Sequence, residues 1–373
     1  MFLNKKMMKK IITALCVALC LFAVGYNAYQ SEKSDASGKK KVYAILPLTG
    51  VYAQAGKEQK KSLETYVKTA SDLPFEVEFL DNESNPTRSL SIAQMVSRKD
   101  KSPLFVCSIG ALCRPILPQL KQMNGFMILS PSTQAEKTDV KEFQRISINH
   151  EQMNAPHINY LQKGQNVVII HSNEEAGYRG ASLVAAKLKE KGVNVIGKLD
   201  FAPSELDMRI LALKAIKDKP DAIMIISAPN IGFINLIKVL KTEQNYTGDI
   251  LCDPTMQTPS VMATFGDEKN GILVPVLPTV RILSEYPKVA QAITDAGLTL
   301  SNYPIMMWDV MDIIRYFIDN KMEFTQDAFV KMGKWHGIST DVVFSPNGNS
   351  YYEYILARIK DGEFVPVNER KEE

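Results

Sequence analysis

Hydroxyls and backbone amides gathered just past apolar runs are where this chain can do chemistry. Thr49 and Gly50 follow the run 42–46, residues 110–113 follow 104–108, and Ser130 to Thr133 follow 125–129. In open parallel sheets, ligands sit beyond the carboxyl ends of the strands, where loops and helix N-termini present free amides. A carboxylate is well served there, because helix N-termini favour anions and hydroxyls add hydrogen bonds. Ser132 and Thr133 are the best polar candidates for ligand contact, although Ser-Pro-Ser-Thr is equally ordinary cap and turn chemistry. Asp81 to Pro86 reads as a strand end followed by a cap and turn, with Asn85 as cap and Pro86 in the first helical turn, where the missing amide proton costs nothing.

Catalytic constellations are not evident. The sequence holds no Walker A, HExxH or GxSxG motif. His171, with Glu174 and Glu175 after it, is a strand-end histidine in a polar loop and needs no catalytic explanation. Past the first 25 residues only Cys107, Cys113 and Cys252 remain, so at most one bridge forms; Cys107 and Cys113 are expected as buried small hydrophobes rather than a redox pair. The four histidines show no pairing with cysteines at ligand spacing, so neither a metal nor a cofactor is expected. Met306, Met307, Trp308, Met311, Tyr316 and Phe317 lie near helical spacing within 303–319, a pattern of core packing.

The elements that position these loops begin after an export signal. Lys5, Lys6, Lys9 and Lys10 precede an apolar run over 11–24, and small residues at 23–25 suit signal peptidase. The run is short for a membrane span of about 20 residues, so cleavage is the first reading and a retained N-terminal anchor the second. The whole chain carries 44 basic and 41 acidic residues; without the four leader lysines the balance is 40 to 41. The apparent basicity belongs to the leader, which argues against nucleic acid as a partner. With 45% apolar residues and 373 residues in all, the exported part has length for two domains. Apolar runs at 42–46, 75–80, 104–108 and 125–129 alternate with helical segments at 57–70 and 86–97. The pattern restarts at 166–171, with strands at 193–199, 221–226, 272–276 and 351–359 and a helix at 180–191. Two α/β units with parallel sheets and crossover helices are predicted.

The order of motifs is similar to that of type I periplasmic binding proteins, in particular the branched-chain amino acid receptors that serve ABC importers. The resemblance runs from residue 41 nearly to the C-terminus. It is carried by PLTG at 47–50 with Ala53 and Gly56, DNESNP at 81–86, SIG at 108–110, LSPST at 129–133, FQRIS at 143–147, AGYRG at 176–180 and PDAIMI at 220–225. The most specific part is GISTDVVFSPNGNSYYEYILARIKDGEFV at 337–365. The resemblance implies two Rossmann-like parallel-sheet lobes joined by a three-strand hinge, with crossings near 145–147, 274–277 and 347–351. The implied organisation is a signal peptide or N-terminal anchor at 1–25, a linker at 26–40, a first lobe of 41–146 plus 278–349, and a second lobe of 147–277 plus 350–373. It also implies a non-enzymatic, extracytoplasmic receptor that closes on an amino acid or similar small polar solute and delivers it to an ABC permease in the membrane.

Departures from the family pattern bear on the site. Where amino acid receptors commonly place a serine after the strand ending at 108–110, this chain has Cys113-Arg114-Pro115; Arg114 either clamps an anionic group or stands as a surface cation. The family's Tyr-Gly loop appears reversed as Gly177-Tyr178, leaving Tyr178 as a stacking candidate. Past Leu251, where an acidic residue would hold an ammonium, Asp253 is the acid available, for that role or as a turn cap. Thr49 completes the candidate set, the family using its loop mainly to turn the chain. An incomplete clamp motivates an alternative function: a receptor-fold regulatory protein that binds an envelope partner, such as a cell-wall synthase, instead of a solute.

Overall fold

A computed structural model describes residues 38–130, 139–147, 149–227, 230–257 and 259–367. The leader and the candidates Ser132 and Thr133 lie outside the described residues. No helix among the described residues is long and apolar enough to cross a membrane.

The first sheet has five strands, β1 (Lys40–Leu46), β2 (Phe75–Asp81), β3 (Leu104–Cys107), β4 (Phe126–Leu129) and β5 (Phe143–Arg145), in the order β2-β1-β3-β4-β5 with every pairing parallel. Its central strands are buried on both faces, as expected where crossover helices cover both sides. Successive side chains therefore feed opposite cores: Val42, Ala44, Leu46, Val106 and Ile128 enter one, and Tyr43, Ile45, Phe105, Cys107 and Met127 the other.

The second sheet repeats the logic with β6 (Asn166–Ser172), β7 (Asn194–Phe201), β8 (Ala222–Ile226), β9 (Asp249–Cys252) and β10 (Leu273–Val276), extended by β14 (Ile355–Lys360) and β15 (Glu363–Pro366), in the order β15-β14-β10-β9-β8-β6-β7. Strands β6 to β10 pair in parallel, whereas β14 and β15 are antiparallel additions. Val168, Ile170, Ile223 and Ile225 face one core, and Val167, Ile169, Ala222 and Met224 the other. A small third sheet, β11 (Lys334–His336), β12 (Asp341–Phe344) and β13 (Ser350–Tyr351), packs with the first lobe. The expected strand 351–359 is thus two: Tyr351 ends β13, Tyr352 and Tyr354 turn into the first lobe's core, and pairing on the second sheet starts at Ile355.

Local signals act as their chemistry dictates. Asn85 Oδ1 accepts from the amides of Thr87 (2.8 Å) and Arg88 (3.2 Å) to start helix Pro86–Ser97. Helices expected at 57–70 and 180–191 begin earlier, at Ala53 and Glu175, because both follow directly from strand-end turns. The methionine- and aromatic-rich segment forms helix Asn302–Asp319, with Met306, Met307, Trp308, Met311 and Phe317 buried.

The lobes meet where the chain crosses. Arg145 N–H donates to the Gly348 carbonyl at 2.7 Å, and Ser147 N–H to Ser350 Oγ at 3.0 Å, so segments 145–147 and 348–350 run together. Gln152, from the capping box of helix His150–Tyr160, donates through its side chain to the Ser350 carbonyl at 2.9 Å. Between 276 and 277 the chain changes core, Val276 packing in the second lobe and Leu277 in the first.

One expectation is overturned. Cys107 and Cys113 are joined in a disulfide, with Cα atoms 6.1 Å apart, rather than lying as free buried thiols. The short helix Gly110–Cys113 turns the chain back on the end of β3 and brings the two side chains together in one core. Cys252 remains a free, buried thiol, pushed well above its ordinary pKa by burial and then by the neighbouring Asp253 charge.

Candidate functional site

The carboxyl ends of β1 and β2 form one stapled rim. Asp81 accepts from the amides of Leu48 (2.9 Å), Thr49 (3.2 Å) and Glu83 (2.8 Å), and from the Thr49 hydroxyl at 2.7 Å. Burial works against the Asp81 carboxylate, but these bonds, led by Glu83 and Thr49, win and hold its pKa below the ordinary range. Ser84 closes the staple: its hydroxyl donates to the Thr49 carbonyl at 2.7 Å and accepts from the Tyr52 amide at 3.1 Å. Gly50 is required here, at φ +84°, because a Cβ would lie 2.7 Å from Ser84 Oγ.

Beyond β3 the chain passes through Ile109 at φ +61°, an uncommon left-handed conformation for a β-branched residue, inside the disulfide-closed loop. Ser108 and Ser130 sit on adjacent strand ends. Their amides donate to the carbonyls of Ile45 (3.2 Å) and Cys107 (3.0 Å), and their hydroxyls are buried without a partner among the described residues. Arg114 stands exposed at the start of the 3₁₀ turn Arg114–Gln119.

From the second lobe, His171 is buried at the end of β6, its Nδ1 2.8 Å from the Ser172 carbonyl. Tyr178 is exposed and meets the His171 ring edge-on at 4.7 Å. Past β8, Asn230 caps helix Ile231–Lys238 through Phe233 N–H (2.9 Å) and donates to Ser227 Oγ at 3.0 Å. Past β9, Asp253 is partly buried, and its carbonyl accepts from the Met256 amide at 3.1 Å.

Burial shifts several titratable groups that the sequence pattern does not single out. Tyr303, in the first turn of helix Asn302–Asp319, is pushed up to about 12 by burial first, then by the charges of Glu58 and Asp253. Glu58, in the second turn of helix Ala53–Thr69, is raised by burial. Tyr354 donates to Asn302 Oδ1 at 3.0 Å and is raised well above its ordinary value by burial, Asp253 and Tyr303. His150, the first residue of helix His150–Tyr160, is lowered by burial, with neither ring nitrogen partnered among the described residues. Gly180 leaves it room, since a Cβ there would sit 3.2 Å from His150 Nδ1.

Of the sequence candidates, Thr49 is bonded to Asp81 and Tyr178 packs on His171, whereas the Asp253 charge raises Tyr303 and Tyr354 after burial. Tyr303 was hidden because its helix reads as core along its whole length. Glu58 carried no signal beyond standing two residues after Gly56. Among the described residues no group of three histidine, cysteine or acidic side chains gathers as a metal site. Each parallel sheet carries polar loops at its carboxyl edge, the end of such sheets where ligands bind.

Comparisons agree with this geometry. Residues 41–280 match a family model described as periplasmic binding protein. The fold is similar to an ABC transporter substrate-binding protein from Sphaerobacter thermophilus, at TM-score 0.76 and 14% identity, covering 88% of this chain and 97% of that one. A leucine-binding protein from Thermotoga maritima gives TM-score 0.73 and 18% identity over 88% and 98% of the chains. A solute-binding protein of an ABC transporter from Rhodopseudomonas palustris BisB5, in complex with 3,4-dihydroxybenzoic acid, gives 0.72 and 16% over 88% and 96%. No curated protein matches.

Proposed function

The chain belongs to the periplasmic binding protein family, and on that premise we propose that it is the extracytoplasmic solute-binding component of an ABC importer, closing its two lobes on an amino acid or similar small polar solute. The observation that carries this reading is the hinge. Segments 145–147 and 348–350 are hydrogen-bonded side by side between two sheets that each carry polar loops at the carboxyl edge. A bend distributed over these crossings moves one lobe against the other without breaking either core.

In this reading Ser132, Thr133 and Arg114 receive a carboxylate, Asp253 receives an ammonium, and Tyr178 stacks on the solute. Thr49 anchors its loop through Asp81. The chain carries no step of covalent chemistry in this reading; it binds, closes and presents the solute to a membrane permease. The leader would place it outside the cytoplasm.

Thermal unfolding against amino acids, small amides and aromatic carboxylates tests the reading. A ligand bound only by the folded state stabilises by about 2.7 kcal/mol at a hundredfold excess over Kd. A dose-dependent rise with one chemical class is the expected result; no shift with any class overturns it.

One observation favours the second reading, an envelope protein as partner. Leu206, Ile210 and Leu213 are 70%, 67% and 53% exposed on and beside helix Arg209–Ile216, a cluster of apolar side chains on the second lobe. Loss of all solute binding together with retention of a protein partner would select it.

A further inference from the structure

Two hydroxyls interrupt an otherwise apolar row at the carboxyl edge of the first sheet. The ladder runs on past the strand ends: Ser108 N–H donates to the Ile45 carbonyl (3.2 Å), Ser130 N–H to Cys107 (3.0 Å) and Ile146 N–H to Leu129 (3.1 Å). In parallel pairing these bonds set Ser108 beside Leu46, Ser130 beside Ser108 and Ile146 beside Ser130, on strands about 4.8 Å apart. Alternation turns all four side chains to the face of Ala44, Val106 and Ile128, and Leu46 and Ile146 join those residues in one core. Ser108 and Ser130 are 0% exposed, and neither hydroxyl has a partner among the described residues.

Helix Ala53–Thr69 covers this face. Its buried stripe carries Gly56, Gln59, Leu63 and Tyr66, the last two in the same core. Gly56 lies against the end of β1, since a Cβ there would be 2.1 Å from the Pro47 carbonyl oxygen. The helix runs back antiparallel to β1 to reach the start of β2. Three residues along it, about 4.5 Å of rise, compare with a step of about 3.3 Å from Pro47 back to Leu46. Gln59 therefore stands over the row that holds Leu46, Ser108 and Ser130. It is fully buried, and neither end of its amide has a partner among the described residues.

Buried polar groups left unpaired forfeit their hydration, so three of them on facing elements mark a place where a guest completes the bonding. Donors and acceptors are both on offer, and all are uncharged. The charge in this row is Asp81, the register partner of Leu46 and roughly 10 Å from Ser108 by strand spacing. Its carboxylate is already engaged by the Leu48, Thr49 and Glu83 amides and the Thr49 hydroxyl. An ion sunk among Leu46, Leu63 and Ile146 would lose its water without gaining a counter-ion.

We infer that Gln59, Ser108 and Ser130 form a subsite for an uncharged polar group of the solute, a hydroxyl or a carboxamide. The subsite rests on the receptor reading above and narrows its solute to molecules with a neutral hydrogen-bonding end. An aliphatic end placed there would leave all three groups unpaired and be rejected.

Two measurements on the full chain test this. Calorimetric titration compares near-isosteric pairs: asparagine with leucine, glutamine with methionine, and 4-hydroxybenzoate with 4-methylbenzoate, with aspartate and glutamate as charged probes. At least one neutral polar probe is expected to bind at least ten-fold more tightly than its apolar counterpart and than either acid. Gln59→Met is expected to remove that preference, a loss of ten-fold or more, about 1.4 kcal/mol. The urea midpoint of the same variant without solute should be unchanged or higher, because an unpaired buried amide is exchanged for an apolar chain of similar length. Ser108→Ala and Ser130→Ala carry both measurements should Gln59→Met fail to fold. A lower midpoint with the preference intact assigns the three groups to a resident structural water and overturns the inference. Tighter binding of an apolar probe, unaffected by Gln59→Met, overturns it and leaves the receptor reading standing. No binding by any probe overturns both.

Discussion

Arg145 Nε donates to Asn349 Oδ1 at 2.8 Å across 204 residues of sequence, with both side chains buried. This bond ties the first crossing between the lobes to the third, so the hinge is a clasped pair of strands rather than two independent linkers. A buried guanidinium deprived of a hydrogen-bond partner loses more than the bond itself, since its desolvation is no longer offset. Asn349→Ala should therefore destabilise the protein by about 2–3 kcal/mol, read as a lower urea midpoint, and should change solute affinity as well. A variant with unaltered midpoint would show that the clasp contributes nothing.

The Cys107–Cys113 bridge closes a short loop around Ile109, and short loops yield modest chain-entropy stabilisation, roughly 2 kcal/mol here. Replacing both cysteines by alanine should lower stability by that order and raise amide hydrogen exchange in 108–113 above that of β1. Wild-type protein should lose the same stability under reductant. Equal stability with and without reductant would rule out a structural role for the bridge.

Gly50 and Ser84 make a second, independent test. Alanine at position 50 is strained both by φ +84° and by the 2.7 Å approach to Ser84 Oγ. Gly50→Ala should cost more than about 1 kcal/mol. Adding Ser84→Ala should recover little of the loss, because the Glu83 carbonyl oxygen and Ser84 Cβ, each 2.8 Å from the new methyl, remain. A double variant as stable as Ser84→Ala alone would mean that the hydroxyl is the whole of the obstacle.

His157 predicts an acid limb. It is fully buried in helix His150–Tyr160, and burial depresses its pKa to about 3 from 6.5. Below pH 6.5 the unfolded chain binds a proton that the folded chain refuses, so stability falls as pH drops from 6.5 toward 3, at up to about 1.4 kcal/mol per pH unit. His157→Gln should make that limb shallower, with His150, also lowered by burial, supplying part of the slope that remains. The urea midpoint measured against pH decides it, and an unchanged slope would place the acid sensitivity elsewhere.

The two-sheet architecture was legible because parallel strands buried on both faces read as continuous apolar runs. Residues 42–46, 104–107, 166–171 and 222–226 announced themselves in this way, and Asn85 with Pro86 announced a helix start. The edge additions were harder to place. Tyr351, Tyr352 and Tyr354 look like one strand by composition, yet the first ends β13 and the others turn into the first lobe's core before β14 begins.

The local pattern of apolar and polar residues, by itself, determined the central strands of both sheets, the loops that end them and which family the chain resembles, because these properties depend on neighbours within a few positions. Only the tertiary structure decided which distant side chains meet. Tyr66 reaches Asp312 and Trp308 through the packing of two helices far apart in sequence. Thr49 is taken from the candidate site by Asp81, 32 residues further on, and Cys113 is turned back onto Cys107. Contacts of this kind are made by the path of the chain between elements, and no short-range pattern encodes that path.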